Sequence, residues 1–389
     1  MERDNVRRPP IREKTKRIPL GKMDYNLILA VIALSLIGLI MVLSASTPLN
    51  LGDETSSPYS YFLRHGIYLI VSLIGMYVVS RINFNFYEKF AFPIYILTMV
   101  LCLLVFVPGL GVSNYGAYRW IRIFGISIMP SDYLKIGSII LMAKLIVDKK
   151  EDIRKIFKGV LPLIIFIGIT VLPIYRQPDM STLIVIGATL FGMMYLGGVN
   201  LALFIVLGIL GVGAVLVGIF TSEYRMERVM SLFNPLEYRL DEGWQLVNAL
   251  YGVASGGLTG RGIGKGISKQ MYLSYQSHND WIFSVIAEET GFIGSTIVML
   301  IYFYMVYRGF RIAMATDDRF GKLLASGISL SLGMQGFINM GVAIGLVPST
   351  GITLPFISYG GSALLASFIM VGILLNISRK NNEKKWIYR

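Results

Sequence analysis

Cysteine and histidine are almost missing from this chain: Cys102 is the single thiol among 389 residues, and His65 and His278 are the only imidazoles. One thiol excludes a disulfide framework and any multi-cysteine zinc site. Two histidines so far apart in sequence are a poor starting set for a metal centre, and no metal ligand set can be named. Charge is scarce too. Asp, Glu, Lys and Arg make up 15% of the residues, against about 25% in soluble domains, while 54% are hydrophobic and mean hydropathy is +0.63. That balance excludes a soluble globular protein. No repeat at a fixed period stands out, and Cys102, inside an apolar run, reads as a small core residue.

What is present is a series of long apolar runs, each near the ~20 residues a membrane-spanning helix needs. Ten segments qualify: Tyr25–Ser46, Gly66–Ile82, Phe90–Pro108, Ser131–Val147, Gly159–Ile174, Ser181–Leu196, Leu201–Phe220, Trp281–Tyr307, Leu323–Leu346 and Pro355–Ile377. The expected fold is an all-α polytopic membrane protein of about ten transmembrane helices. A large extracytoplasmic loop, Thr221–Asp280, separates the seventh and eighth. The net charge of +13 does not indicate nucleic acid, because the basic clusters ("RRPPIREKTKR", "DKKEDIRKIFK", "YRGFR", "SRKNNEKKWIYR") all flank apolar runs, as the positive-inside rule requires. An even number of spans with two basic ends puts both termini in the cytoplasm. Met1–Lys22 reads as a disordered basic tail rather than a signal peptide, 23–379 as the membrane domain and 380–389 as a second basic tail.

Polar residues that break the pattern collect at the outward face. Arg119 and Arg122 lie on an outer loop, against the positive-inside trend. "YRQPDMSTL" puts Gln177 and Asp179 at a span edge, where Asp179 suits a helix cap as well as a ligand. "SHNDWIFSVIAEETGFIG" carries His278 and Asp280 at a span mouth and Glu288 and Glu289 inside the span. "LPFISYGGS" places Ser358 and Tyr359 among prolines and glycines at another entrance. Non-helical backbone at membrane depth is tolerated only against protein or a water-lined cavity, and ionisable residues there are functional candidates. An outward cavity with arginines and carboxylates suits an anionic amphiphile such as a lipid-linked phosphate. The glycine-rich "GRGIGKG", which contains Lys265, follows no strand and lacks the G-x-x-x-x-G-K-[ST] pattern. It reads as flexible backbone for packing or substrate approach, not as a nucleotide site.

From Tyr25 to Arg379 the chain resembles the SEDS family (shape, elongation, division, sporulation), through "GAYRWIRIFGISIMPSDYLK", "QPDMSTL", "ASGGLTGRGIG", "HNDWIFSVIAEETGFIG" and "LPFISYGGSALL". The segment "LVPSTGITLPFISYGGS" is nearer the FtsW pattern than the RodA one. Asn279, Met129, Asp132 and Ser181 stand where the family usually has Thr, Gln, Glu and Gly. The resemblance implies a peptidoglycan glycosyltransferase of the bacterial cytoplasmic membrane. Such an enzyme polymerises lipid II, an undecaprenyl-diphosphate-linked disaccharide peptide, together with a class B penicillin-binding protein. Asp280 is then expected as the base that takes a proton from the attacking sugar hydroxyl. Arg119, Arg122 and Lys265 are expected against the diphosphate, with Gln177, Asp179, His278, Ser358 and Tyr359 as substrate contacts and Glu288 and Glu289 in supporting roles. A divalent cation, Mg2+ or Mn2+, is an open addition. Two rival readings are a lipid II flippase and a non-catalytic scaffold for the penicillin-binding protein.

Overall fold

The structure, a computed structural model, describes residues 22–51, 59–114, 117–123, 126–238, 243–271 and 277–387. The tail expected over Met1–Lys22 falls outside them except for its last residue. Apolar chain in lipid must satisfy its backbone internally, so each long run becomes a helix. The helices are α1 (Tyr25–Leu51), α2 (Ser60–Arg81), α3 (Phe84–Lys89), α4 (Ala91–Leu103), α5 (Pro130–Asp148), α6 (Leu161–Arg176), α7 (Met180–Gly197), α8 (Leu201–Phe220), α9 (Glu223–Phe233), α10 (Trp244–Gly256), α11 (Ser268–Met271), α12 (Ile282–Met314), α13 (Arg319–Ala343) and α14 (Gly361–Ile387). Every predicted span falls on one of them. Among the described residues, eight helices are long and apolar enough to cross a membrane by length and composition. Of the other two, α4 is short and α5 carries Asp132, Lys135 and Lys144.

Local chemistry sets the helix starts. Asn83, Asp179, Asn200 and Asp318 each accept a backbone N–H from the first turn of the helix that follows, which satisfies one of its orphan donors. Gly198, at φ +104°, ends α7 in the left-handed conformation that a side chain would strain.

Three features differ from the sequence-based expectation. Gly111–Asn114 (β1), Ala117–Ile123 (β2) and Ile126–Ile128 (β3) form an antiparallel sheet where only a loop is expected. The alternating, aromatic and β-branched "AYRWIRI" favours a strand there. The large loop is folded: α10 buries Leu246, Val247 and Ala249 against α12 and α13. α14 continues without a break to Ile387, so the predicted second tail begins as helix.

The helix ends sort to two sides. At one end Asp24 pairs with Arg308 (2.6 Å), Lys380 reaches Asn85 (2.8 Å) and Arg319 donates to the Gly197 carbonyl (3.0 Å); this is the basic end. At the other, the sheet, the α6–α7 turn, the 221–280 segment and the loop before α14 converge.

Candidate active site

The site forms where α12 begins. Residues 278, 279 and 280 are non-helical, and each of their carbonyls is held by a different donor. Tyr359 N–H reaches the His278 carbonyl (2.9 Å), the Ser358 hydroxyl the Asn279 carbonyl (2.7 Å), and Asn339 Nδ2 the Asp280 carbonyl (2.9 Å). The Ser277 hydroxyl donates to the Ala45 carbonyl of α1 (3.1 Å). Two spans, α1 and α13, and the loop before α14 therefore fix the backbone that carries Asp280. Asn339 also holds the Ile352 carbonyl (2.6 Å). Between that anchor and Asp280 sits Gly351, at φ +69°, where a Cβ would lie 3.6 Å from the Asp280 carboxylate.

Electrostatics gather at the same place. Removal from water pushes the Asp280 carboxyl up to about 6, and Asp179 nearby raises it too, while Arg119 and Arg228 oppose the shift. Arg119 is aimed by two carbonyls, Gln177 (from Nε, 3.3 Å) and Pro178 (from Nη2, 2.5 Å). Arg228 donates to the Ser349 carbonyl (3.2 Å) and lies over the Tyr224 ring. Asp179 spends Oδ1 on the Thr182 N–H (3.2 Å) and Ser181 hydroxyl (3.1 Å), so it caps α7; its Oδ2 is buried without a hydrogen bond. Ser181 also donates to the Thr350 carbonyl (2.6 Å), tying α7 to the loop before α14.

The predicted site residues divide accordingly. Asp280, Asp179 and Arg119 come together; Arg122 does not join them. On β2 successive side chains face opposite ways, and Arg122, three residues after Arg119, is exposed on the other face. Gln177 is a correction: its side-chain amide turns inward to the Cys102 carbonyl (3.1 Å), and only its backbone serves the site. Ser358 is another, since its hydroxyl is consumed between the Leu354 N–H (2.7 Å) and the Asn279 carbonyl. Lys265 is exposed on the glycine-rich segment, and no contact brings it to Asp280. His278 is buried, its imidazole pushed down to about 4 mainly by loss of water. Its ring packs against Tyr61 (centroids 4.7 Å apart) and Tyr359 (5.3 Å).

Glu288 and Glu289 do different work from Asp280. α12 is broken at Gly291 (φ 69°, ψ −168°), which orphans backbone groups on both sides. The glycine-rich segment satisfies them: Arg261 and Gly262 N–H reach the Glu288 and Glu289 carbonyls (3.0 and 2.9 Å). Phe292 and Ile293 N–H reach the Gly257 and Leu258 carbonyls (2.9 and 3.1 Å). The two carboxylates fasten the same segment. Glu288 accepts from Ile267 N–H (2.7 Å) and from the Ser268 N–H and hydroxyl. Glu289 accepts from Gly264 N–H (3.0 Å), the Ser44 hydroxyl of α1 (2.7 Å) and Lys269 Nζ (2.5 Å). So "GRGIGKG" is pinned backbone rather than a flexible loop. Its first glycine is required by close approach: a Cβ on Gly260, which sits at φ +79°, would run into the Glu289 carbonyl.

Sequence reasoning missed Asn339, Lys269 and the buried pair Asp132 and Lys135 (3.8 Å), in which Lys135 also donates to Gln335 (2.6 Å). For the pair a signal existed, since two opposite charges three residues apart inside an apolar helix are seldom accidental. Asn339 carries no such mark. Asn339→Leu should leave the Asp280 and Ile352 carbonyls unsatisfied, at about 1–3 kcal/mol each. A loss of thermal stability together with a larger fall in turnover than in substrate affinity is expected; unchanged turnover would remove Asn339 from the site.

Residues 25–383 match the FtsW/RodA/SpoVE family, described as cell cycle proteins. The chain belongs to that family. It is 37% identical over 363 residues to a probable peptidoglycan glycosyltransferase FtsW of Trichlorobacter lovleyi, covering 93% of this chain and 95% of that protein. It is 35% identical to the stage V sporulation protein E of Bacillus subtilis, covering 92% and 98%. Among solved structures, a chain of a peptidoglycan synthase complex superposes with a TM-score of 0.75 at 26% identity, covering 92% of this chain and 98% of that one. The RodA of Thermus thermophilus superposes at 0.66, with 24% identity and coverage of 92% and 97%, a likeness of fold. The protein is a multi-pass membrane protein of this family.

Proposed function

We propose that the protein is a peptidoglycan glycosyltransferase that polymerises lipid II at the outer face of the cytoplasmic membrane, with Asp280 as the general base. The observation that carries this is a partly desolvated carboxylate on a clamped backbone, beside two aimed arginines. A sugar 4-hydroxyl attacks the anomeric carbon of the growing chain; the new glycosidic C–O bond forms as the bond to the diphosphate breaks. Asp280 takes the hydroxyl proton, and undecaprenyl diphosphate leaves with the bonding pair. A carboxyl near 6 suits the task, since it is ionised at neutral pH yet basic enough to accept a proton. Arg119 and Arg228 oppose the developing negative charge. Asp179 and Glu289 serve structure, one as a helix cap and the other in the buried pair with Lys269.

A divalent cation would find few ligands at this site. Among the described residues no group of three or more His, Cys, Asp or Glu side chains is placed to hold one. Asp280 and the unpartnered Asp179 oxygen alone make a thin donor set. The class B penicillin-binding protein belongs to the same reading, supported by the similarity to a chain of a synthase complex.

The test is polymerisation of purified lipid II by the protein in detergent, with and without that partner. Glycan product is expected; lipid II transport without polymer, or dispensability of Asp280, would favour the flippase or the scaffold. Sidedness is tested separately. In a chain lacking Cys102, the exposed positions Lys265→Cys and Asp317→Cys should differ: the first labels with an impermeant thiol reagent in intact cells and the second does not. Labelling of both, or of the second alone, would overturn the orientation.

A further inference from the structure

At the basic end a groove of about 700 Å³ opens between Arg154, the end of α7 and the start of α8. Arg154 belongs to residues 149–160, which join α5 to α6 as a folded turn. Lys155 N–H donates to the Asp152 carbonyl (2.7 Å) and Gly159 N–H to the Lys155 carbonyl (3.0 Å), while Lys149 Nζ reaches the Lys158 carbonyl (3.1 Å). Ile153, buried, seats the turn beside Gly198. The turn carries five cations against two carboxylates. One of these, Asp152, is already taken by Lys155 at 2.7 Å. Arg154 is exposed, and among the described residues it makes no ion pair or hydrogen bond.

We infer that this groove binds the headgroup of an anionic phospholipid, with the phosphodiester against Arg154. The unspent guanidinium can fork onto two phosphate oxygens. Three features favour a lipid over a free anion. The wall is amphiphilic, since Tyr195, Leu196 and Leu201 line the groove with the arginine and all three are exposed. From Leu201 an exposed apolar stripe, Ile205, Ile209, Val212 and Leu216, continues along one face of α8. Those fifteen residues of helix rise about 22 Å, roughly the reach of one extended acyl chain. Ile156 and Phe157, both exposed, stand among the cations of the turn, and such a mixture seats a segment where headgroups meet acyl chains. Each Lys or Arg near an anionic surface contributes about fivefold in affinity.

The experiment is native mass spectrometry of the full chain in detergent, with phosphatidylglycerol or phosphatidylcholine of matched acyl chains. Phosphatidylglycerol should be retained about fivefold better than phosphatidylcholine. Arg154→Gln should lower its retention about fivefold and the charge reversal Arg154→Glu about 25-fold. Leu201→Glu, which sets a carboxylate in the groove wall, should lower it as well, while Arg154→Lys and the control Arg81→Gln at the end of α2 keep it. All of these positions are exposed, and unchanged thermal unfolding checks that each variant folds. Equal retention of the two lipids, full retention in Arg154→Glu or Leu201→Glu, or an equal loss in Arg81→Gln would overturn the proposal. So would displacement of the lipid by millimolar inorganic phosphate, which would mark a site for free anions.

Discussion

Asp280→Asn is expected to cut lipid II polymerisation by about 10²–10⁴-fold, the usual contribution of a positioned general base, with folding intact. The amide keeps the shape and cannot accept a proton at neutral pH. Its backbone clamp, through Tyr359, Ser358 and Asn339, does not depend on the carboxylate. The stability sign follows from the same environment. A carboxyl raised from 3.8 to about 6 on folding destabilises the native state increasingly as pH rises through that window, and by a constant amount above it. Asn removes this cost, so the variant should melt at the same temperature as wild type or higher. The wild-type rate should fall as pH drops below about 6. Arg119→Gln should move that acid limb upward, because Arg119 holds the carboxyl down. Near wild-type glycan synthesis by Asp280→Asn would refute the mechanism, whatever else the protein binds.

Lys269→Met should be the most damaging single change to stability. Lys269 and Glu289 are both almost fully buried and 2.5 Å apart. Removing one partner of such a pair costs about 3–5 kcal/mol, because the other charge stays buried and unpaired. Here the stranded charge, Glu289, sits on α12 beside its break and holds the segment that replaces the missing helical hydrogen bonds. Glu289→Gln should harm less, since the amide still accepts from Ser44 and Gly264. The double variant, Lys269→Met with Glu289→Gln, should regain much of the loss. Thermal unfolding in detergent measures the cycle; additive effects would show that the pair is not a unit.

Hydrophobic run length and the placement of basic residues determined, from sequence alone, which segments become helices, because lipid leaves the backbone no alternative to internal hydrogen bonding. Asp280 was legible for a similar reason: a carboxylate at the mouth of a span is too costly to be incidental. The sheet at 111–128 was harder to read, since its short strands carry little periodic signal. Tertiary structure alone decided how the polar residues divide their work. The sequence pattern suits Gln177 and Ser358 to substrate contact, yet the Gln177 amide N–H and the Ser358 hydroxyl donate inside the protein, where the nearest unsatisfied group claims a buried donor. Asn339 is an ordinary amide in an apolar helix until the fold brings two orphan carbonyls to it. "GRGIGKG" looked mobile because glycine is permissive in isolation. Packed against a broken helix, the same lack of side chains lets two backbones approach closely enough to exchange hydrogen bonds, and the segment becomes fixed.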